Sequence, residues 1–189
     1  MLHIRTLVVL TAIAGWSVAQ AQQPSAGQAL PGFMGPCSNL SCEIQNDWTR
    51  NNVLVYGLAD AMPADKYGFR PTPEQQSFGE RVLHVAQINV SLLQGLGAKA
   101  PAPAIEPKAT SKTAAMAALM KAGDYGTAVI KEFSDQQLTV RVPSPWFMGP
   151  MSTRQRILYF LMTHSQDTYG QLVVYVRLNG ITPPASRQP

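Results

Sequence analysis

Residues 152–179 read STRQRILYFLMTHSQDTYGQLVVYVRLN, and their apolar side chains recur every three or four positions. This period is typical of an amphipathic α-helix, and Gly180 directly after the stretch favours a helix end there. The predicted inward stripe is apolar at both ends and polar in the middle; it consists of Ile157, Leu161, His164, Thr168, Gln171, Tyr175 and Leu178. An unpaired buried polar group costs roughly 1–3 kcal/mol, so a buried imidazole at His164 needs a partner.

Three earlier stretches have the same helical period and are predicted to be helices at 41–61, 77–96 and 111–137. Ser77 and Glu80 have the spacing of a capping box at the start of the second helix. Residues 97–110 are rich in proline and form a crossover rather than a regular element. No convincing strand or internal repeat is present, so the fold is predicted to be an all-α four-helix bundle.

The N-terminal residues 1–21 follow the pattern of a secretory signal peptide. Arg5 supplies the positive charge, residues 7–14 are a short apolar run, and Ala19-Gln20-Ala21 fits a cleavage site. Cleavage would make Gln22 the first residue and would lower the formal charge from +4 to +3. The protein is therefore expected to be exported, to a bacterial periplasm or beyond; an uncleaved anchor is the alternative.

Residues 22–40 are predicted to be a flexible lead that carries a disulfide at its end. Cys37 and Cys42 are the only cysteines in the chain, and a close pair in an exported protein favours a disulfide. Its C-x4-C spacing, without a nearby histidine, is a weak zinc signal and does not fit haem attachment. We therefore expect it to fasten the lead to the first helix.

Several partner classes are disfavoured by composition. The excess positive charge is small and dispersed, without basic runs, so nucleic acid is not expected to bind. No stretch after the signal approaches the ~20 apolar residues of a membrane-spanning helix. Phosphate-binding and dinucleotide fingerprints and the G-x-S-x-G elbow are also absent from the sequence.

His84 and His164 are the two histidines left after signal removal, and each lies in a predicted helix. A buried hydrogen-bond network and a metal site both account for them. Thr168 shares the face of His164 one turn later, but a threonine is a poor ligand for zinc or nickel. Asp167 is a conceivable replacement ligand, although it points off the stripe. The methionines follow helical spacing and are interpreted as core residues.

Two motifs resemble the DinB-like family, and its exported branch above all. The first is AMPADKYGFRPTPE at 61–74, which continues through Ser77-Phe78-Gly79-Glu80 to His84-Val85-Ala86; the second is HSQDTYGQ at 164–171. The resemblance covers residues 41–187. It implies an up-down-down-up bundle with a long crossover between the second and third helices.

The same resemblance implies three histidines around a divalent metal such as Zn, Ni or Mn. Two family positions match His84 and His164, whereas the third falls on Thr168, so the pocket is degenerate. Gln171 and Tyr175 are expected to line it. If active, the protein would be a metal-dependent hydrolase or transferase of undefined reaction. The alternative is a non-catalytic exported bundle that binds a small ligand or a protein partner, and a homodimer is a further expectation.

Overall fold

The computed structural model describes residues 35–187, so the predicted signal peptide and most of the lead lie outside the described residues. The long helices are α1 (Leu40–Ala61), α2 (Phe78–Gln94), α3 (Lys112–Lys131) and α5 (Arg154–Leu178), and α4 (Asp135–Leu138) is a single turn. Two short strands, β1 (Arg141–Pro143) and β2 (Met151–Thr153), precede α5, and 3₁₀ turns lie at Ala64–Lys66, Trp146–Met148 and Pro184–Ser186. Within residues 35–187, no helix combines the length and apolar character that a bilayer span requires.

The long helices begin where side chains satisfy their first backbone N–H groups. The predicted capping box is confirmed: Ser77 Oγ accepts from Glu80 N, and a Glu80 carboxylate oxygen accepts from Ser77 N. Asn39 and Ser111 cap α1 and α3 through single side-chain hydrogen bonds. The helix starts therefore follow directly from local sequence.

The third helix ends earlier than predicted, at Lys131 instead of Gln137. Ser134 and Gln137 form a second capping box, which starts α4 and redirects the chain. The Glu132 carboxylate also accepts hydrogen bonds from the backbone N–H groups of Lys99 and Ala100, which fastens this turn to the crossover. The capping box at Ser134 therefore ends α3, although apolar residues continue at helical spacing beyond Lys131.

The expectation that no strand is present was wrong. β1 and β2 pair antiparallel, with Val142 opposite Ser152, and α5 begins only after Thr153, which caps it. Ser152 was predicted to start the helix but belongs to β2. Each strand has only three residues, which is too short for a period of two to be recognised in the sequence.

The helix directions follow from contacts at the two ends of the bundle. Lys99, which follows α2, donates to Glu132 at the end of α3, and Thr110, which precedes α3, lies against Gly79 at the start of α2. The two helices therefore have their starts together and their ends together, so they are parallel. The end of α1 lies near the start of α3, since Lys112 Nζ donates to the Asp60 carbonyl. The start of α5 lies near the end of α2, where Arg154 Nε donates to Leu96 O. The up-down-down-up path and the long crossover are confirmed.

Apolar side chains fill the bundle in two clusters, one near each end. Trp48, Leu93 and Leu161 belong to the cluster near the start of α5, and Val55, Phe78 and Leu172 to the other. Along α1 and α5 the clusters are separated by buried polar residues, which are Asn51, Ser165 and Thr168. Of the polar middle predicted for the last helix, Thr168 is buried, whereas His164 and Gln171 are half-buried.

Leu178, predicted to point inward, is instead 59% exposed. The chain turns at Gly180, where φ is 73°, and Ile181 packs back against the apolar cluster near the end of α5. Ile181 therefore occupies the core position that the helical period assigned to Leu178.

The predicted disulfide is present between Cys37 and Cys42, whose Cα atoms lie 5.5 Å apart. Cys42 lies in the first turn of α1, and Cys37 lies just before that helix. The bond therefore fastens the end of the lead to the start of α1.

Candidate functional site

His84 of α2 and His164 of α5 meet across the interface between these antiparallel helices. Their Nε2 atoms are 3.2 Å apart, and their ring centroids are separated by 5.0 Å with the planes tilted by 60°. Both side chains are half-buried. The two histidines singled out in the sequence are therefore brought together, with one nitrogen of each ring aimed at the other.

Both imidazoles are held towards their neutral form. Burial lowers the pKa of His84 below its usual value, and the nearby His164 and Arg81 lower it further. Burial also lowers the pKa of His164, while Asp167 acts in the opposite direction. Neutral imidazole is the form that binds metal ions, and it can also pair ring to ring.

We expect the free energy of unfolding to fall as pH is lowered through about 6.5. The histidines take up protons more readily in the unfolded chain, because their folded pKa values are depressed. Stability is therefore greatest above the unfolded pKa and declines towards the folded one. Urea unfolding between pH 5 and pH 8 measures this dependence. His84→Gln should flatten the curve, and an equally steep curve in that variant would contradict the assignment.

The second ring nitrogen of His164, Nδ1, has no hydrogen-bond partner. Its Nδ1 is buried and is one of two such unpartnered side-chain atoms within residues 35–187; the other is Gln155 Oε1. Metal-binding histidines nearly always donate this second N–H to a carboxylate or carbonyl, which fixes the ring. His164 therefore lacks the support that usually strengthens a metal ligand.

The third position of the family pattern supplies no strong ligand. Thr168 lies one turn after His164 and is only 2% exposed. Asp167 is exposed, and its carboxylate accepts a hydrogen bond of 2.7 Å from Gln171 Nε2. In the described part of the chain, no group of three His, Cys, Asp or Glu side chains is placed to hold a metal ion. The candidate ligand set consists of two imidazoles.

Tyr175, predicted to line the pocket, is buried and links α5 to the start of α2. Its hydroxyl accepts from Arg81 Nε at 3.1 Å and donates to Gln76 O at 2.8 Å. Arg81 also lies over the Tyr175 ring, 5.9 Å from its centroid. Sequence reasoning missed Arg81, which places a positive charge beside His84.

A buried pair of polar side chains lies one residue along from His164. Ser165 Oγ donates to Asn89 Oδ1 at 3.1 Å, which joins α5 to α2 a second time. The interruption of the α2 stripe by Asn89 was visible in the sequence, but its partner was not. This pair fixes the rotation of the two helices that carry the histidines.

Aromatic rings extend from His164 to the surface. Phe160 stacks on His164 with centroids 6.4 Å apart, and Phe147 contacts Phe160 at 4.8 Å. Trp146 meets Phe147 edge to face at 5.7 Å. The i, i+4 spacing of Phe160 and His164 could have predicted the first contact, whereas the hairpin that supplies the other rings was missed.

Comparisons with solved structures give the same architecture. A DinB-like protein from Bacillus cereus ATCC 10987 aligns with a TM-score of 0.64 and 22% identity, over 75% of this chain and 93% of that chain. A DinB-like protein from Bacillus subtilis, YjoA, aligns with a TM-score of 0.60 and 20% identity, over 74% of this chain and 93% of its own. At these identities the similarity shows the fold alone. No curated protein matches the chain.

The family model of the DinB superfamily matches residues 45–172. This range contains both histidines, the crossover and most of α5. It covers more than half of the sequence. The chain belongs to the DinB superfamily.

Proposed function

We propose that this protein is an exported DinB-like protein that holds a divalent metal ion at a degenerate pocket, with His84 and His164 as its protein ligands. The observation that carries the proposal is the 3.2 Å separation of the two Nε2 atoms. Two Zn–N bonds of about 2.0–2.1 Å at a tetrahedral angle place their nitrogens about 3.3 Å apart. The two rings therefore fit one shared ion without a change of backbone.

The electrostatics of the pair also suit a metal. Both histidines have lowered pKa values, so protons compete weakly for their nitrogens at neutral pH. The interface is fixed by the Ser165–Asn89 and Tyr175–Arg81 hydrogen bonds, which hold the two helices on both sides of the pair. The helices that carry the ligands are therefore held in position before an ion arrives.

A site with only two protein ligands is expected to bind a metal ion weakly. Zn, Ni and Mn are the candidate ions, and water would complete the coordination because Thr168 is a poor ligand. A bound divalent ion would lower the pKa of such a water and supply a nucleophile for a hydrolase or transferase reaction. Arg81 would place its positive charge beside the site, where it favours an anionic substrate group. The identity of the reaction stays open in this proposal.

A non-catalytic bundle is the second candidate, and the same distance supports it. A separation of 3.2 Å also fits a hydrogen bond from one neutral imidazole to the other. The pair would then join α2 to α5 without an ion, as Ser165 and Asn89 do next to it. In that case the protein would bind a small ligand or a protein partner.

Export is part of the proposal. The disulfide between Cys37 and Cys42 supports it, because such bonds persist in oxidising compartments outside the cytosol. The predicted signal peptide would direct the chain to the bacterial periplasm or the medium.

We expect the purified protein to contain up to one Zn, Ni or Mn ion per chain after equilibration with that metal. Elemental analysis after equilibrium dialysis against that metal, compared with the dialysis buffer, measures the content in protein prepared without chelator or affinity metal. His84→Ala and His164→Ala should each abolish it, because one imidazole cannot retain the ion. Asp167→Asn is the matched control and should leave the content unchanged. No retained metal in the wild-type protein would refute the metal proposal and favour the non-catalytic bundle.

A further inference from the structure

Three exposed apolar side chains of the β1–β2 hairpin define a surface that we call the hairpin surface: Trp146, Phe147 and Met151. Trp146 is 90% exposed, although tryptophan is usually well buried. Phe147 places one part of its ring against Phe160 and leaves about half of its surface free. This amount of exposed aromatic surface on a short hairpin indicates a binding role.

The segment that carries this surface has charged side chains of one sign. Residues 136–166 contain no Asp or Glu, and they contain three arginines, Arg141, Arg154 and Arg156. Arg141 donates to Met151 O, and Arg156 donates to Met148 O. These guanidinium groups therefore bind carbonyls of the hairpin, and their positive charge is not neutralised by a carboxylate: the ion pairs within residues 35–187 are Arg70–Glu80 and Lys112–Asp60.

Two carboxylates at this end of the bundle accept hydrogen bonds from backbone N–H groups rather than from these arginines. The Glu132 carboxylate accepts from Lys99 N and Ala100 N. The Asp135 carboxylate accepts from the first N–H groups of α1, at Leu40 and Ser41. The hairpin surface therefore combines exposed aromatic rings with arginines that form no ion pair within residues 35–187.

We propose that the hairpin surface docks the protein on an anionic phospholipid bilayer. Trp and Phe rings partition favourably into the boundary between headgroups and acyl chains, and arginines beside them attract anionic headgroups. Two arginines are exposed at the hairpin and the start of α5, Arg141 and Arg156, and each donates a hydrogen bond to a backbone carbonyl of residues 148–151. Docking of this kind is peripheral and needs no membrane-spanning helix.

The size of the surface favours a bilayer over a second copy of the chain. A stable protein–protein interface uses about 20–30 residues on each side, whereas the hairpin surface has three apolar side chains. A small, projecting apolar tip with flanking cations is sufficient for reversible binding at a lipid surface. The proposal is independent of whether the histidines bind metal.

The test is sedimentation with vesicles of phosphatidylglycerol and phosphatidylcholine, compared with vesicles of phosphatidylcholine alone. Wild-type protein should bind the anionic vesicles, less tightly as salt is raised. Trp146→Ser should weaken binding at least about tenfold, and Arg141→Gln about fivefold. Met120→Ser, which removes an exposed apolar side chain from α3, is the matched control and should bind like wild type.

All proteins are compared with the same N-terminus, verified by mass, so residues 1–34 contribute equally. Subtracting the fluorescence spectrum of Trp146→Phe from that of wild type gives the emission of Trp146. This emission should move to shorter wavelength when anionic vesicles are added. The proposal is overturned if wild type ignores those vesicles, if it binds neutral vesicles equally well, or if Trp146→Ser binds as well as wild type. If wild type is a dimer and Trp146→Ser is a monomer, the hairpin surface binds a second copy of the chain, and the proposal is also overturned.

Discussion

Gly126→Ala should lower the free energy of unfolding by about 1–3 kcal/mol, although alanine is a better helix former than glycine. A Cβ atom on Gly126 of α3 would lie 2.5 Å from Cε2 and 2.8 Å from Cη2 of Trp48. Trp48 is almost fully buried, and its Nε1 donates to Gly123 O and Thr127 Oγ1. The buried indole is anchored through its Nε1 atom, so moving away from the new methyl group would break these hydrogen bonds.

Gly170→Ala in α5 is the matched control for this prediction. Its Cβ would have no neighbour within 4 Å, so the helix-propensity gain is not offset and stability should rise by up to about 1 kcal/mol. Urea unfolding of the two variants at one pH measures the difference. Equal effects of the two substitutions would show that α1 and α3 are not packed as closely as the structure has them.

A second variant separates the steric cause from a general loss of packing. The clashing atoms belong to the six-membered ring of the indole, so Trp48→Phe would remove part of the overlap. The double variant should be more stable than the sum of the single effects predicts, by at least about 1 kcal/mol. Strict additivity of the two substitutions would contradict the steric explanation.

The helices could be predicted from the sequence because their signals are local. The α2 start is set by Ser77 and Glu80, and the last helix carries its period through more than six turns. The end of α3 was missed although its signal is also local: Ser134 and Gln137 match a capping box. The apolar period continued through that point and was given more weight than the cap.

The hairpin could not be predicted because its strands are stabilised by each other. Val142 is buried and pairs with Ser152 ten residues later, and neither three-residue strand has a recognisable pattern alone. From the sequence alone, residues 138–150, which include Trp146 and Phe147, are predicted only to be a loop. The exposed aromatic surface became visible only when the two strands were placed side by side.

The candidate site was predicted in part. Two histidines on separate helices could be proposed to meet, and His84 and His164 do meet. Their neighbours depend on tertiary packing: Arg81 reaches the site from one side through its bond to Tyr175, and Ser165 binds Asn89 across the interface. A sequence pattern records the face of a helix, but it does not record which residue of the opposite helix lies at the same height.

Thr168→His should convert the weak two-histidine site into a strong one. A histidine at this position would lie one turn after His164 on the same face of α5, so both imidazoles could reach one ion. A full structural zinc site contributes about 10–16 kcal/mol, or roughly 3 kcal/mol per ligand, which corresponds to a hundredfold change in affinity. We therefore expect the Kd for Zn to fall by about a hundredfold relative to wild type.

Thr168 is buried, so the larger imidazole could disturb the core, and a second variant is needed. Thr168→Asp adds a smaller side chain with a metal-binding carboxylate and should tighten binding in the same direction. Thr163→His is the matched control, because Thr163 is an exposed position of α5 that is not a whole turn from His164. It adds the same imidazole to the same helix and should leave the affinity unchanged.

Calorimetric titration with Zn, on variants shown to unfold cooperatively, measures these affinities. The gain in Thr168→His should disappear when His84→Ala is added, because the new histidine acts only together with the existing pair. If Thr168→His and Thr168→Asp both fold and bind Zn no more tightly than wild type, the two Nε2 atoms do not share an ion. The 3.2 Å separation would then describe a hydrogen bond between α2 and α5, and the non-catalytic bundle would be the better account of the protein.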